Sequence, residues 1–202
     1  MNALIIIDVQ NDFIKDGTLE VPDGHRIIPV INQIQDYFDL VLATQDWHPA
    51  DHKSFASNHP DKKPFDQIVL HGMKQTLWPD HCVQGTPGAE LHPELDSCPI
   101  EAIFRKGTDP EIDSYSSFYD NGHRKSTGLA GYLRDKKIDD LYFCGLAADI
   151  CVYFSIQDAL AEGFRCWLIE DAARPLDKDH YQQLKGELLN KGVNFISSQA
   201  FR

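Results

Sequence analysis

Short apolar runs alternate with amphipathic stretches along most of the chain. Residues 3–9 (Ala-Leu-Ile-Ile-Ile-Asp-Val) are a near-continuous β-branched run of the kind that forms a strand buried on both faces. Residues 40–44 (Leu-Val-Leu-Ala-Thr) and 141–145 (Leu-Tyr-Phe-Cys-Gly) repeat that pattern. Shorter runs at 102–105, 166–170 and 193–197 complete a set of six expected strands. Between them lie helical patterns. Ile27, Ile28, Ile31, Ile34 and Phe38 share one face over residues 25–38, with Pro29 in the first turn. Leu129 and Leu133 mark a helix over 126–137. A third is expected over 149–162 with Asp149 as N-cap, and a fourth over 178–191 closed by Gly192. Strands alternating with helices predict a three-layer α/β/α fold with a parallel sheet.

Two segments interrupt the rhythm. Residues 46–101 are polar and rich in His and Pro, and 107–125 are rich in Asp, Ser and Tyr. Unpatterned segments of this length inside a compact domain are usually functional. Neither resembles a linker, so 202 residues read as one domain with an insertion at about 46–101. The 19 basic and 31 acidic residues give a net charge of −12, which argues against nucleic acid as a partner. No apolar run approaches the roughly 20 residues of a membrane span. Met1 to Asp8 lacks the basic start of a signal peptide. Five cysteines without a CxxC pair fit free thiols in a reducing compartment, so a cytoplasmic location is expected.

In parallel sheets, ligands bind beyond the carboxyl ends of the strands. The polar residues at those ends here are Asp8, the pair Asp46-Trp-His48, Lys106, and the stretch Gly145-Leu-Ala-Ala-Asp149-Ile-Cys151. Cys151 would open a helix, where the helix field and a nearby ammonium lower a thiol pKa. Asp8 is the expected partner of Lys106, because a lysine ending a buried strand needs a counter-charge. An aspartate, a lysine and a cysteine together suit amide cleavage through a thioester. Asp46 and His48, spaced i, i+2 on an extended segment, share a face, and Trp78-Pro-Asp-His81 can bring a third ligand. That donor set suits zinc, iron or manganese. His52 is a further ligand or a residue standing behind the ligands. Phe13 and Trp78 are aromatics close to these segments, suited to stacking on a flat ring or to covering the core.

Five motifs in order, Ile-Asp8-Val-Gln-Asn-Asp-Phe13, Thr-Gln-Asp46-Trp-His48-Pro, Leu-Trp78-Pro-Asp-His81-Cys-Val, Arg-Lys106-Gly and Gly145-Leu-Ala-Ala-Asp-Ile-Cys151-Val, resemble the nicotinamidases of the isochorismatase-like cysteine hydrolase family. The resemblance implies strand order 3-2-1-4-5-6 and a catalytic triad of Asp8, Lys106 and Cys151. It implies one divalent metal ion, zinc first and iron or manganese next, on Asp46, His48 and His81. Oxyanion donors are expected at the backbone of Ala147 and Cys151, with a cis peptide at Ala147–Ala148. The substrate pocket is expected to hold Phe13 and Trp78, with Leu19 and Tyr115 as looser matches. The implied reaction turns nicotinamide, and by similarity pyrazinamide, into the acid and ammonia, in salvage of nicotinamide toward NAD. Two alternatives stay open: another amidase of the family acting on carbamoyl or ureido substrates, and a non-catalytic metal- or partner-binding member. Assembly with further copies of the chain also stays open.

Overall fold

The computed structural model describes residues 1–201. Six strands form one parallel sheet: β1 (Asn2–Ile7), β2 (Leu40–Asp46), β5 (Ala102–Lys106), β6 (Asp140–Leu146), β7 (Arg165–Arg174) and β8 (Asn194–Ile196). Their order is β5-β2-β1-β6-β7-β8. Counting only these six, that is the expected 3-2-1-4-5-6. The missing numbers belong to a separate antiparallel hairpin, β3 (Gln67–Leu70) and β4 (Met73–Thr76), inside the insertion.

The sheet has a core on each face, and β1 feeds both. Ala3, Ile5 and Ile7 point into one core, Leu4 and Ile6 into the other. The first core is closed by Leu129 and Leu133 of α2 (Leu129–Asp135), Val152 and Ile156 of α3 (Cys151–Ala161), and Leu184 and Leu188 of α4 (Lys178–Asn190). The second is closed by Ile28, Ile31 and Ile34 of α1 (Ile28–Ile34) and by residues of the insertion such as Trp78 and Leu95. With apolar neighbours above and below, β1 and β2 need continuous apolar runs. β5 stands at the sheet edge and alternates between half-buried and exposed positions until Lys106, which is buried.

Four local expectations are corrected. The helix expected over 25–38 is divided into a 3-10 turn at Gly24–Ile27, α1, and a second 3-10 turn at Gln35–Tyr37. Asp149 does not cap α3. Its carboxylate instead accepts the N–H groups of Leu176 and Asp177, both at 2.8 Å, which ties the start of α3 to the segment after β7. The helix expected over 126–137 is confined to Leu129–Asp135. The cis peptide lies one bond earlier than expected, at Leu146–Ala147 rather than Ala147–Ala148. Among the described residues no helix is long and apolar enough to cross a membrane.

Candidate active site

β1 and β6 run side by side, with Ile7 opposite Gly145, so their exits deliver Asp8 and the turn leading to Cys151 to one place. On the other flank of β1, Asp46 of β2 pairs with Lys106 of β5. Strand register alone therefore gathers residues from four segments of the chain at one end of the sheet.

Lys106 is the hub. Its ammonium is buried and donates to Asp46 Oδ1 at 2.5 Å, to the Ser114 carbonyl at 3.0 Å and to Cys151 Sγ at 3.4 Å. It also lies 2.9 Å from Asp8 Oδ2. Burial alone would drive the proton off this lysine, but the carboxylates of Asp46 and Asp8 outweigh it and hold the ammonium charged. Asp46 as the second counter-charge was not foreseen; its spacing from His48 pointed only to a metal.

Asp8 is held from its far side. Thr44 Oγ1 donates to Asp8 Oδ1 at 2.6 Å and accepts the Asp8 N–H at 3.2 Å. The other oxygen, Oδ2, is buried and receives no hydrogen bond of good direction, the Lys106 contact being close but off-axis. A carboxylate oxygen so placed is a ready proton acceptor. Burial raises the Asp8 pKa above the usual carboxylate range, against the pull of Lys106, and the nearby Asp46 charge adds to the rise. One ligand atom from each of Asp8, Asp46 and Cys151 lies within 4.8 Å of the others.

Cys151 is the first residue of α3 and is buried. The expected lowering of its thiol pKa is reversed in this resting arrangement. Burial pushes the thiol well up, Lys106 pulls the other way, and the Asp8 and Asp46 charges add to the rise. The sulfur thus keeps its proton next to an acceptor. Around it, the N–H groups of Ala148, Ile150 and Val152 are taken by the carbonyls of Arg174 and Ala147. Those of Ala147 and Cys151 find no acceptor among the described residues, which suits donors that await an oxyanion. Cys144 and Cys166 are buried in strands, and burial pushes both thiol pKa values up. Both behave as small apolar residues.

Asp46, His48 and His81 form a second cluster, all buried, with one ligand atom from each within 4.8 Å. His48 Nδ1 donates to the Gly107 carbonyl at 2.9 Å, and His81 Nδ1 to the Pro79 carbonyl at 2.8 Å. These bonds place the proton of each neutral ring on Nδ1 and leave Nε2 as a bare lone pair. The two Nε2 atoms lie 3.6 Å and 3.9 Å from Asp46 Oδ2. Three electron-rich atoms facing one another in a buried site repel unless a cation lies between them, so the donor set fits a metal ion. Burial and the neighbouring His48 push the His81 pKa down to about 4, which keeps that ring neutral and its Nε2 unprotonated for ligation.

His52 stands beside His48, with ring centroids 4.4 Å apart. Its Nδ1 accepts the Ser54 N–H at 3.1 Å and contacts Ser54 Oγ at 2.7 Å. Its proton therefore sits on Nε2, which is buried without a partner; one ring nitrogen of His52 lies within 4.8 Å of ligand atoms of His48 and Asp113. In this tautomer His52 backs His48 and presents no lone pair to the cluster.

Both clusters reach one partly enclosed pocket, with a cavity volume of about 30 Å³. Phe13, Leu19, Trp78 and Tyr115, the expected substrate contacts, all line it, as do Asp46, His81, Ala147 and Cys151. Val21, Asp113, Ile150 and Leu176 line it too and were not foreseen. Asp113 lies in the Asp/Ser/Tyr-rich segment whose composition marked it as functional. The apolar three carried no sequence signal distinct from core residues.

Residues 2–200 match the isochorismatase domain model. The nicotinamidase of Acinetobacter baylyi is 48% identical over 98% of this chain and 92% of its own length. Among solved structures, the Acinetobacter baumanii nicotinamidase/pyrazinamidase superposes with a TM-score of 0.97 at 44% identity, covering 100% of this chain and 98% of that one. The L. infantum protein PnC1 in complex with nicotinate gives 0.88 at 37% identity, over 99% and 94%. Pyrazinamidase of Pyrococcus horikoshii in complex with zinc gives 0.79 at 34%, over 97% and 98%. By its matched domain, strand order and these relatives, the chain belongs to the isochorismatase family.

Proposed function

We propose that the protein is a nicotinamidase, hydrolysing nicotinamide to nicotinate and ammonia, and pyrazinamide by the same steps. One observation carries the reading: a single pocket reaches both the Cys151 thiol, clustered with the Asp8 and Asp46 carboxylates, and Asp46 and His81 of a three-donor cation set. The nicotinamidase relatives and the nicotinate complex of one of them support the substrate. The reaction belongs to the recycling of nicotinamide toward NAD.

The steps follow from the contacts. Asp8 Oδ2 takes the Cys151 thiol proton as the sulfur attacks the carboxamide carbon. Lys106 holds the thiolate and the carboxylate together through its ammonium. The negative oxygen of the tetrahedral adduct accepts the N–H groups of Ala147 and Cys151. Asp8 passes its proton to the amide nitrogen, the C–N bond breaks and ammonia leaves, with a thioester remaining. Asp8 then takes a proton from water, whose oxygen attacks the thioester. The carbon–sulfur bond breaks, Asp8 returns its proton to sulfur, and the acid departs, losing the second water proton to solvent as nicotinate.

Phe13, Trp78, Leu19 and Tyr115 sandwich the flat ring and exclude water. Asp46, His48 and His81, in or beside the 46–101 insertion of a single domain spanning 1–202, would hold one divalent cation. Zinc is the first choice, given the zinc-bound relative, with iron and manganese as alternatives. When bound, the cation supplies a Lewis-acid anchor for the ring nitrogen. The test is ammonia release from metal-loaded protein given nicotinamide, pyrazinamide, benzamide and a ureido compound. Nicotinamide and pyrazinamide should turn over and Cys151→Ala should be inactive. Equal kcat/KM for nicotinamide and benzamide would show that the ring nitrogen is not read.

A further inference from the structure

The segment after β1 delivers Asp8 and Phe13 to the pocket, but it also carries a second buried aspartate that the reaction does not use. Asp12 Oδ2 accepts the Cys82 N–H at 2.7 Å, across 70 residues of sequence, and Oδ1 a longer bond from the Thr18 N–H at 3.4 Å. Cys82 directly follows His81 and sits at φ +47°, a backbone conformation L residues rarely adopt. Its carbonyl accepts the His48 N–H at 3.0 Å. One left-handed residue thus has His81 before it and the His48 backbone bonded to it. Its N–H donates to a buried carboxylate, and that bond holds it in place.

The packing around Asp12 agrees. A methyl group at Gly88 would lie 2.2 Å from Asp12 Oδ2 and 2.4 Å from Oδ1, so the carboxylate fills the space a side chain would take there. Phe13, next in sequence, sets its ring 5.5 Å from that of His81.

We infer that Asp12 is a positioning residue for the two imidazoles: its carboxylate holds the Cys82 peptide in the turn that aims His81 and His48 at Asp46. The inference rests on the reading of these residues as a cation site. It is tested by measuring Zn(II) affinity of the metal-free protein by competition with a chromophoric chelator. The Nδ1–H resonances of His48 and His81 in metal-free protein provide a readout independent of metal. Asp12→Ala should weaken Zn(II) binding about tenfold or more, the usual loss when a group behind a ligand is removed, and should shift both resonances. Asp12→Asn keeps an oxygen for the Cys82 N–H and should stay within a few-fold of the parent. Gly88→Ala keeps the carboxylate but displaces it, and should fall between them. A folded Asp12→Ala protein with parental affinity and unshifted resonances overturns the inference. If Asp12→Ala does not fold, parental affinity in Gly88→Ala overturns it instead. If the parent itself fails to bind Zn(II), the cation reading fails, and unshifted resonances in the variants then dismiss Asp12 separately.

Discussion

Gly145 offers a measurement of how tightly the site depends on strand contact. It lies at φ +111° near the end of β6, opposite Ile7 of β1. A methyl group there would stand 2.1 Å from the Ile7 carbonyl oxygen and 2.7 Å from the Ile7 nitrogen. A carbon–oxygen contact relaxes at about 3.3 Å, so Gly145→Ala must separate the two strand ends by about 1 Å. The backbone strain costs about 1–3 kcal/mol, and each sheet hydrogen bond lost adds about 1 kcal/mol. A total of about 3–5 kcal/mol is expected in urea denaturation. Asp8 follows Ile7 directly, and Cys151 lies shortly beyond Gly145, so the same displacement separates base from nucleophile. A misplacement of about 1 Å costs on the order of 100-fold in rate. Ammonia release at saturating nicotinamide should fall by about that factor. KM should change less, because Trp78 and His81 reach the pocket from the insertion. A variant within about 1 kcal/mol of parental stability and about twofold of parental kcat would refute the reasoning, since either result requires the strands to stay in register.

Lys106→Met should abolish turnover and cost about 3–5 kcal/mol, because two buried carboxylates then face each other without their cation; an active protein with parental denaturation midpoint would sink this. Removing metal with a chelator, or His48→Ala, should abolish nicotinamide binding in calorimetry while a cooperative thermal transition survives, since neither apolar core includes the cluster. Asp171 accepts hydrogen bonds from Ser198 N–H at 2.8 Å and from the Ser198 and Ser197 hydroxyls at 2.6 and 3.1 Å. Partial burial raises its pKa, but these bonds outweigh it and hold the carboxyl below its ordinary value. A lowered folded pKa contributes stability that is present above the unfolded value of about 3.9 and is lost as pH falls through the folded one. Asp171→Asn should therefore be less stable than the parent at pH 7, with the gap closing below about pH 4; a gap independent of pH would disprove it.

The two central strands were readable because burial on both faces leaves a continuous apolar run, and a strand that ends inside a core must announce its polar residue. That is why Asp8, Asp46 and Lys106 stood out. The β3–β4 hairpin did not. Only Gln75 of its eight strand residues is buried, so it has no apolar face to mark it in the sequence, and its turn, His71-Gly72, has positive φ at both positions without the usual Asn-Gly signature. Asp149 was misread because an aspartate before a helix has a local use and a distant one that look alike in sequence; here the distant bonds to Leu176 and Asp177 prevail. Asp12, Thr44 and the free oxygen of Asp8 act through partners tens of residues away. Their roles depend on register, which becomes visible only when strands are paired.

The position of Lys106 also constrains the order in which the molecule can assemble. Asp8 directly follows β1 and Asp46 ends β2, the two strands with the strongest apolar runs and the natural first pair to close. Yet their carboxylates are dry only in the company of an ammonium carried by β5, an edge strand synthesised some sixty residues after Asp46. Until that strand docks, β1 and β2 can zip along their apolar lengths but must keep their carboxyl ends open to water, because sealing two lone carboxylates costs several kcal/mol. The end of the sheet that binds substrate is thus the last to close. During synthesis it stays hydrated until the chain has passed Lys106, and closure waits further for Cys151.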